Sequence, residues 1–192
     1  GHTTETLRKK MHQEFPNIIT DGLPEAKVFE AYLEYRYGLQ VDYLECASTN
    51  CGNNITNLLE ILKQNQISFK TIILSQDATM QRRMEAGLRK YAKDVEIINY
   101  ATYCAKVIEK GLKLEYETEI WGMWDVDRYI TLLMGEIPRL ADAPGGYGPQ
   151  GKDFIAHVDI PEEVGNAFLK LKENYGGYIR EANPLYASTE QN

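Results

Sequence analysis

The strongest constraint on this chain is an alternation. Short apolar stretches at 39–47 (LQVDYLECA), 69–76 (FKTIILSQ) and 94–101 (DVEIINYA) are separated by segments whose apolar residues recur at helical spacing. ITNLLEILKQN fills 55–65, and Met80, Met84, Leu88 and Tyr91 mark the second interval. Strands alternating with helices of this length predict a parallel sheet joined by crossovers, and so an α/β fold. Further helices are predicted over 4–15, through Leu7, Met11 and Phe15, and from Pro24 to a stop at Gly38, through Val28, Phe29, Tyr32, Leu33 and Tyr35. Another covers 124–136, with Val126, Ile130 and Leu133 on one face and Pro138 expected to end or kink it. A last one covers 161–175 and opens on Pro161 followed by acids.

Three strands are few for a doubly wound sheet, which ordinarily has about five or six. The chain also opens on GHTTETL, without Met. Either Gly1 and His2 are the remnant of a tag, or the stretch is the middle of a loop. The predicted fold is therefore a parallel α/β sheet flanked by helices over 1–120, lacking its N-terminal strands. A helical C-terminal extension over 121–192 is expected to pack on the same domain. A sheet of so few strands leaves an open edge, which a homodimer would cover.

Charge narrows the partners. A net charge of −7 over 192 residues argues against a nucleic-acid binder, which needs a basic face, and against docking on anionic membranes. No apolar run approaches the roughly 18 residues of a membrane span. Cys46, Cys51 and Cys104 form no C-x-x-C pair and read as free thiols in a cytoplasmic setting.

In open α/β sheets, ligands bind beyond the carboxyl ends of the strands, where helices present their N-terminal N–H groups. Two such corners are rich in polar residues. ECASTNCGNN places Glu45 at a strand tip, then Ser48, Thr49, Asn50, Gly52 and Asn54; the alternative is a well-capped helix. The second corner is SQDATMQRR. There Gln76 ends a strand, Asp77 is the expected helix cap, and Arg82 and Arg83 fall in the second turn. By helical phase Arg83 flanks the inner face and Arg82 points away from it. Either guanidinium suits a phosphate or carboxylate; the alternative for Arg82 is an i,i+3 pair with Glu85.

The histidines contribute little: His2 falls in the terminal loop as a candidate for the same mouth, and His12 is expected as a surface helix residue and His157 as a packed one. No zinc helix, nucleophile elbow or Walker loop occurs, and the cysteine and histidine spacing offers no metal site. The glycine-rich run APGGYGPQG at 143–151 is a lid candidate, with Tyr147 and Gly148 at its centre.

At these corners the chain resembles the YdcF-like family, part of a wider uncharacterised domain family that includes SanA and ElyC. STNCGNN at 48–54 is similar to its S-T-N-C-G-E-N, and QDATMQRR at 76–83 to its Q-D-P-T-M-Q-R-R. GEIPRL at 135–140, GYGPQGKDFIAHVDIPEEV at 146–164 and the W-x-V-x-R-Y of Trp124, Val126, Arg128 and Tyr129 fit as well. GHTTETL resembles the family's internal G-H-S-T-x-x-L, which brings Gly1, His2 and Thr3 into the expected site.

The resemblance implies a Rossmann-like fold whose members are associated with binding S-adenosylmethionine. By position, Glu45, Asn50 and Asn54 match one motif, and Asp77 and Arg82 the other. Asn53 stands where the family usually has Glu, and Thr79 where the wider family often has His. Acid–base work then falls to Glu45 or Asp77. The expectation is a cytoplasmic small-ligand-binding protein whose two polar turns share one sheet rim, with S-adenosylmethionine or a related adenine-containing or anionic ligand between them. The competing readings are a phosphoester or envelope-precursor hydrolase using Glu45 and Asp77, and a non-catalytic interaction module.

Overall fold

A computed structural model describes residues 5–175 and Ile179. It is mixed α/β, in two compact units: one runs to Ser68 and the other starts at Phe69. The boundary expected at 120 thus falls inside the second unit.

The first unit carries helices α1 (Glu5–Glu14), α2 (Glu25–Tyr37) and α3 (Cys51–Gln64). Gly38 ends α2 in the left-handed region, at φ 65°, so that its N–H closes on the Glu34 carbonyl at 2.9 Å. Aromatic edges cluster at the α1–α2 side, with Phe15 5.0 Å from Tyr32 and 6.4 Å from Tyr35. Segment 39–47, expected as a strand, forms no ladder among the described residues. Its apolar alternation is real, but a strand exists only through a hydrogen-bonded neighbour, and none pairs with it.

The second unit holds the parallel pair. Strands β1 (Thr71–Gln76) and β2 (Glu96–Ala101) run in register from Thr71↔Glu96 to Gln76↔Ala101, joined through helix α4 (Gln81–Tyr91). Leu74 of β1 and Met84, Ala86 and Leu88 of α4 are buried, and α4 packs on both strands. The Gln81 amide nitrogen donates to the Leu74 carbonyl at 2.9 Å and to Asn99 Oδ1 at 2.7 Å, fastening the start of α4 to both strands.

A hairpin follows, missed in the sequence: β3 (Val107–Lys110) and β4 (Lys113–Tyr116) pair antiparallel around Gly111 and Leu112. Gly111 has φ +67°, the conformation a two-residue hairpin loop requires of its first residue. Helix α5 (Val126–Leu140) is capped by Asp125, whose Oδ1 accepts from the Arg128 N–H at 2.8 Å. It runs through Pro138 instead of ending there. Only two helical residues remain after the proline, so a single ladder bond is lost. Helix α6 (Glu162–Tyr175) packs on α5.

The glycine-rich loop, the lid candidate, is packed against the end of α5. Backbone bonds tie it to the end of α5: Tyr147 N–H to the Arg139 carbonyl at 2.9 Å and Gly148 N–H to the Ala141 carbonyl at 3.3 Å. Tyr147 is 1% exposed, with its ring 5.2 Å from Phe154. A Cβ on Gly148 would lie 2.7 Å from the Asp142 Cα, so the glycine serves close packing. Among the described residues no helix is long and apolar enough to cross a membrane.

Candidate functional site

The second polar corner forms where β1 and β2 end together. Thr102 N–H donates to the Gln76 carbonyl at 3.0 Å, so Asp77 and Thr102 leave the sheet side by side at its carboxyl edge. Asp77 then makes a tight turn. Its Oδ1 accepts from the Thr79 N–H at 2.9 Å and the Thr79 hydroxyl at 2.6 Å, and its carbonyl from the Met80 N–H at 3.0 Å. Asp77 is therefore not the helix cap. Met80 occupies that position without a side-chain bond, and α4 starts at Gln81, which moves Arg82 and Arg83 into the first turn.

Two further donors reach Asp77 from distant segments. The Tyr103 hydroxyl lies 2.9 Å from Oδ1, and the Trp124 indole N–H 3.1 Å from Oδ2. Partial burial pushes the Asp77 carboxyl upward, but the donors from Thr79, Trp124 and Tyr103 outweigh it and hold the pKa below its ordinary value. The same arrangement acts oppositely on the phenols. Burial, then the nearby Asp77 charge, raises Tyr103 well above the usual tyrosine range. Tyr116 is pushed up to about 12, first by burial, then by Tyr129 and Asp125. A fixed anion thus sits among neutral phenols.

Beside it opens a groove of about 320 Å³, lined by Asp77, Thr102, Tyr103, Trp121, Met123 and Trp124 among others. Trp121 is 80% exposed and Trp124 48%. Tyr103 stacks edge-on against Tyr129 at 6.3 Å, and Tyr116 against Tyr129 at 5.6 Å, bracing the wall behind. Met123 N–H bonds to the Ile120 carbonyl at 3.1 Å, which turns the 120–123 segment.

Both arginines have carboxylate partners in the same chain. Arg82 is exposed, and its Nη1 lies 2.9 Å from Glu85 Oε2, the i,i+3 pair anticipated as its alternative. Arg83 is 6% exposed; its Nε and Nη2 grip Glu136 of α5 at 2.6 and 2.9 Å in a two-point contact. As helical phase predicts, Arg83 faces inward. What waits there is a carboxylate of the same chain.

The first corner belongs to the other unit. Glu45 Oε1 accepts from the N–H groups of Ala47 and Ser48 at 2.7 and 2.8 Å and from Asn57 Nδ2 at 2.9 Å. Oε2 is buried with no hydrogen-bond partner among the described residues. Burial raises the Glu45 carboxyl, but donors on Ser48, Asn57 and Ala47 bring it below its ordinary value. Asn50 caps α3 by accepting from the Asn53 N–H at 3.0 Å, and its own amide donates to Asn53 Oδ1 at 2.5 Å. The Ser48 hydroxyl bonds to Asn54 Oδ1 at 2.5 Å, Thr49 lies 3.4 Å from Asn53 Oδ1, and Gly52 is buried in the first turn. The capping alternative therefore accounts for most of this cluster, and α3 starts at Cys51, four residues before the first apolar residue of its predicted stretch.

Gly1, His2 and Thr3 lie outside the described residues. Tyr147 and Gly148 are core residues, as shown above. His157, expected as packed, is half-exposed: Nδ1 is 2.6 Å from Asp142 Oδ2 and Nε2 3.1 Å from Asp159 Oδ1. Among the described residues, no three His, Cys, Asp or Glu side chains gather as a metal donor set. Sequence reasoning missed Tyr103 and Trp121. Tyr103 carries a usable signal, since it lies two residues beyond a predicted strand and so falls at the strand-end rim. No family model matches the chain.

Proposed function

We propose that this chain binds a small adenine-containing ligand, with S-adenosylmethionine the named candidate, in the groove beside Asp77. On this reading the protein is a Rossmann-like ligand binder that uses the carboxyl edge of its parallel strands. One observation carries it: the groove opens at the ends of β1 and β2, with a fixed carboxylate at its base and exposed indole faces on its wall. Flat aromatic rings stack on such faces, and a carboxylate accepts from amino or hydroxyl groups. Asp77 Oδ2 has one protein donor and lone-pair capacity for another.

The hydrolase alternative draws less support from the same chemistry. Both Glu45 and Asp77 are held ionised by their donors, which makes them poor proton donors near neutral pH.

Isothermal titration with S-adenosylmethionine tests the proposal. Trp121→Ala removes an exposed indole at little structural cost. It should weaken binding about 5-fold or more, the equivalent of about 1 kcal/mol of stacking, with the melting temperature unchanged. Undiminished affinity in this variant, or no heat with S-adenosylmethionine or adenosine at millimolar concentration, would overturn it.

A further inference from the structure

We infer that the Asp77 groove selects its ligand by charge, taking a cation such as a sulfonium or quaternary ammonium and rejecting anions of similar shape. This rests on the groove being a ligand site, and it reverses the sign expected from the two arginines. Those guanidiniums were the sequence's argument for a phosphate or carboxylate. In the folded chain Arg82 pairs with Glu85, and Arg83 is buried on Glu136. Among the described residues, the formal charge lining the groove is that of Asp77, since its other named walls are Thr102, Tyr103, Ile120, Trp121, Gly122, Met123 and Trp124.

The carboxylate cannot easily escape its charge. Four hydrogen bonds from Thr79 (two), Tyr103 and Trp124 favour the ionised form, and the phenol that faces it is a donor. A phosphate entering the groove would meet this anion, while the cation beside it, Arg128, lies over the Trp124 ring and not among the groove's walls. A cation would meet an anion together with aromatic faces, whose quadrupole attracts positive charge within about 6 Å of the ring centroid. The chain already uses one of these rings in that way: the Arg128 guanidinium lies 5.9 Å from the centroid of Trp124. Arg128 is thus the internal competitor, and Trp121, 80% exposed, is the ring face most open to a ligand. The soft thioether of Met123 adds a polarisable wall suited to the same class.

A paired titration tests the inference on the full chain. S-adenosylmethionine and S-adenosylhomocysteine share every group except the methyl that makes the sulfur a cation. The sulfonium form should bind at least 10-fold more tightly, tetramethylammonium should compete with it, and adenosine monophosphate should bind more weakly than either adenosyl compound. Asp77→Asn should shrink the 10-fold preference towards unity, with thermal melts confirming a folded variant. Arg128→Gln should tighten the cation about 2-fold or more by vacating Trp124; if Asp77→Asn fails to fold, this variant still reads the effect. Equal affinity for the two adenosyl compounds would overturn charge selection while leaving the binding proposal standing. Competition-free binding of tetramethylammonium at the indoles, with no adenosyl compound bound, would keep charge selection and remove the adenine-containing ligand. No binding by any of the probes would remove both.

Discussion

Replacing Arg83 by methionine should be among the most damaging single changes in the second unit. Arg83 and Glu136 are each 6% exposed and joined at two points, 2.6 and 2.9 Å apart, across 53 residues of chain. Methionine keeps the apolar stem but leaves a carboxylate buried on α5 without its guanidinium. Breaking a buried pair in this way costs about 3–5 kcal/mol, because the surviving charge keeps its desolvation penalty and loses its compensation. With an unfolding slope of about 2 kcal/mol/M in urea, the midpoint should fall by about 1.5–2.5 M. Tryptophan fluorescence is the natural probe, since Trp121 and Trp124 both lie in this unit.

The double replacement Arg83→Met with Glu136→Leu removes both charges and should recover most of the loss, because apolar pairs of similar volume substitute well for buried ion pairs. Two results would refute the reasoning. If the single variant loses under about 1 kcal/mol, water reaches the pair. If the double variant is no better than the single, the loss comes from packing and not from an orphaned charge.

His157 links stability to pH. Hydrogen bonds that its ring N–H groups donate to Asp142 and then Asp159 raise its pKa above the ordinary 6.5. Its contribution is therefore complete below about pH 6.5 and disappears as pH rises through the raised folded value. Asp142 is held low, chiefly by the Gln150 N–H and then by His157, so its share is lost only as pH falls below the ordinary carboxylate range. Thermal melts of wild type and His157→Gln should differ more at pH 5.5 than at pH 9; an equal difference at both would show that the charge is not involved. Glycine replacements should split in sign. Gly146→Ala would put a Cβ 2.0 Å from the Ala141 carbonyl oxygen and should cost about 1–3 kcal/mol, whereas Gly165→Ala, with nothing within 4 Å in the first turns of α6, should gain about 0.5–1 kcal/mol. Urea midpoints check both, and a gain at Gly146 would contradict the packing described for the loop.

What was legible in the sequence was periodicity. TIILSQ and EIINYA read as strands because β-branched residues cluster between polar boundaries, and the Met80–Met84–Leu88 spacing read as the helix between them. LQVDYLECA carried the same local signal without becoming a strand, because local alternation says nothing of whether a partner strand exists. The hairpin at 107–116 was overlooked although Gly-Leu between VIEK and KLEY is a two-residue turn signal. At the site, residue types were visible and partners were not. By residue type and spacing Asp77 reads as a cap and Arg83 as an anion clamp. Their actual partners, Tyr103, Trp124 and Glu136, stand 26, 47 and 53 residues away, beyond the reach of any local pattern.

Ligand binding is placed in the groove beside Asp77 under this proposal, and the two indole N–H resonances of this chain report on it directly. In a titration with S-adenosylmethionine followed by ¹⁵N-correlated NMR, the Trp124 indole signal, bonded to Asp77 Oδ2, and the Trp121 signal should move together and saturate with one affinity. Saturation that moves other amides while both indole signals stay fixed would place the ligand elsewhere and contradict the account.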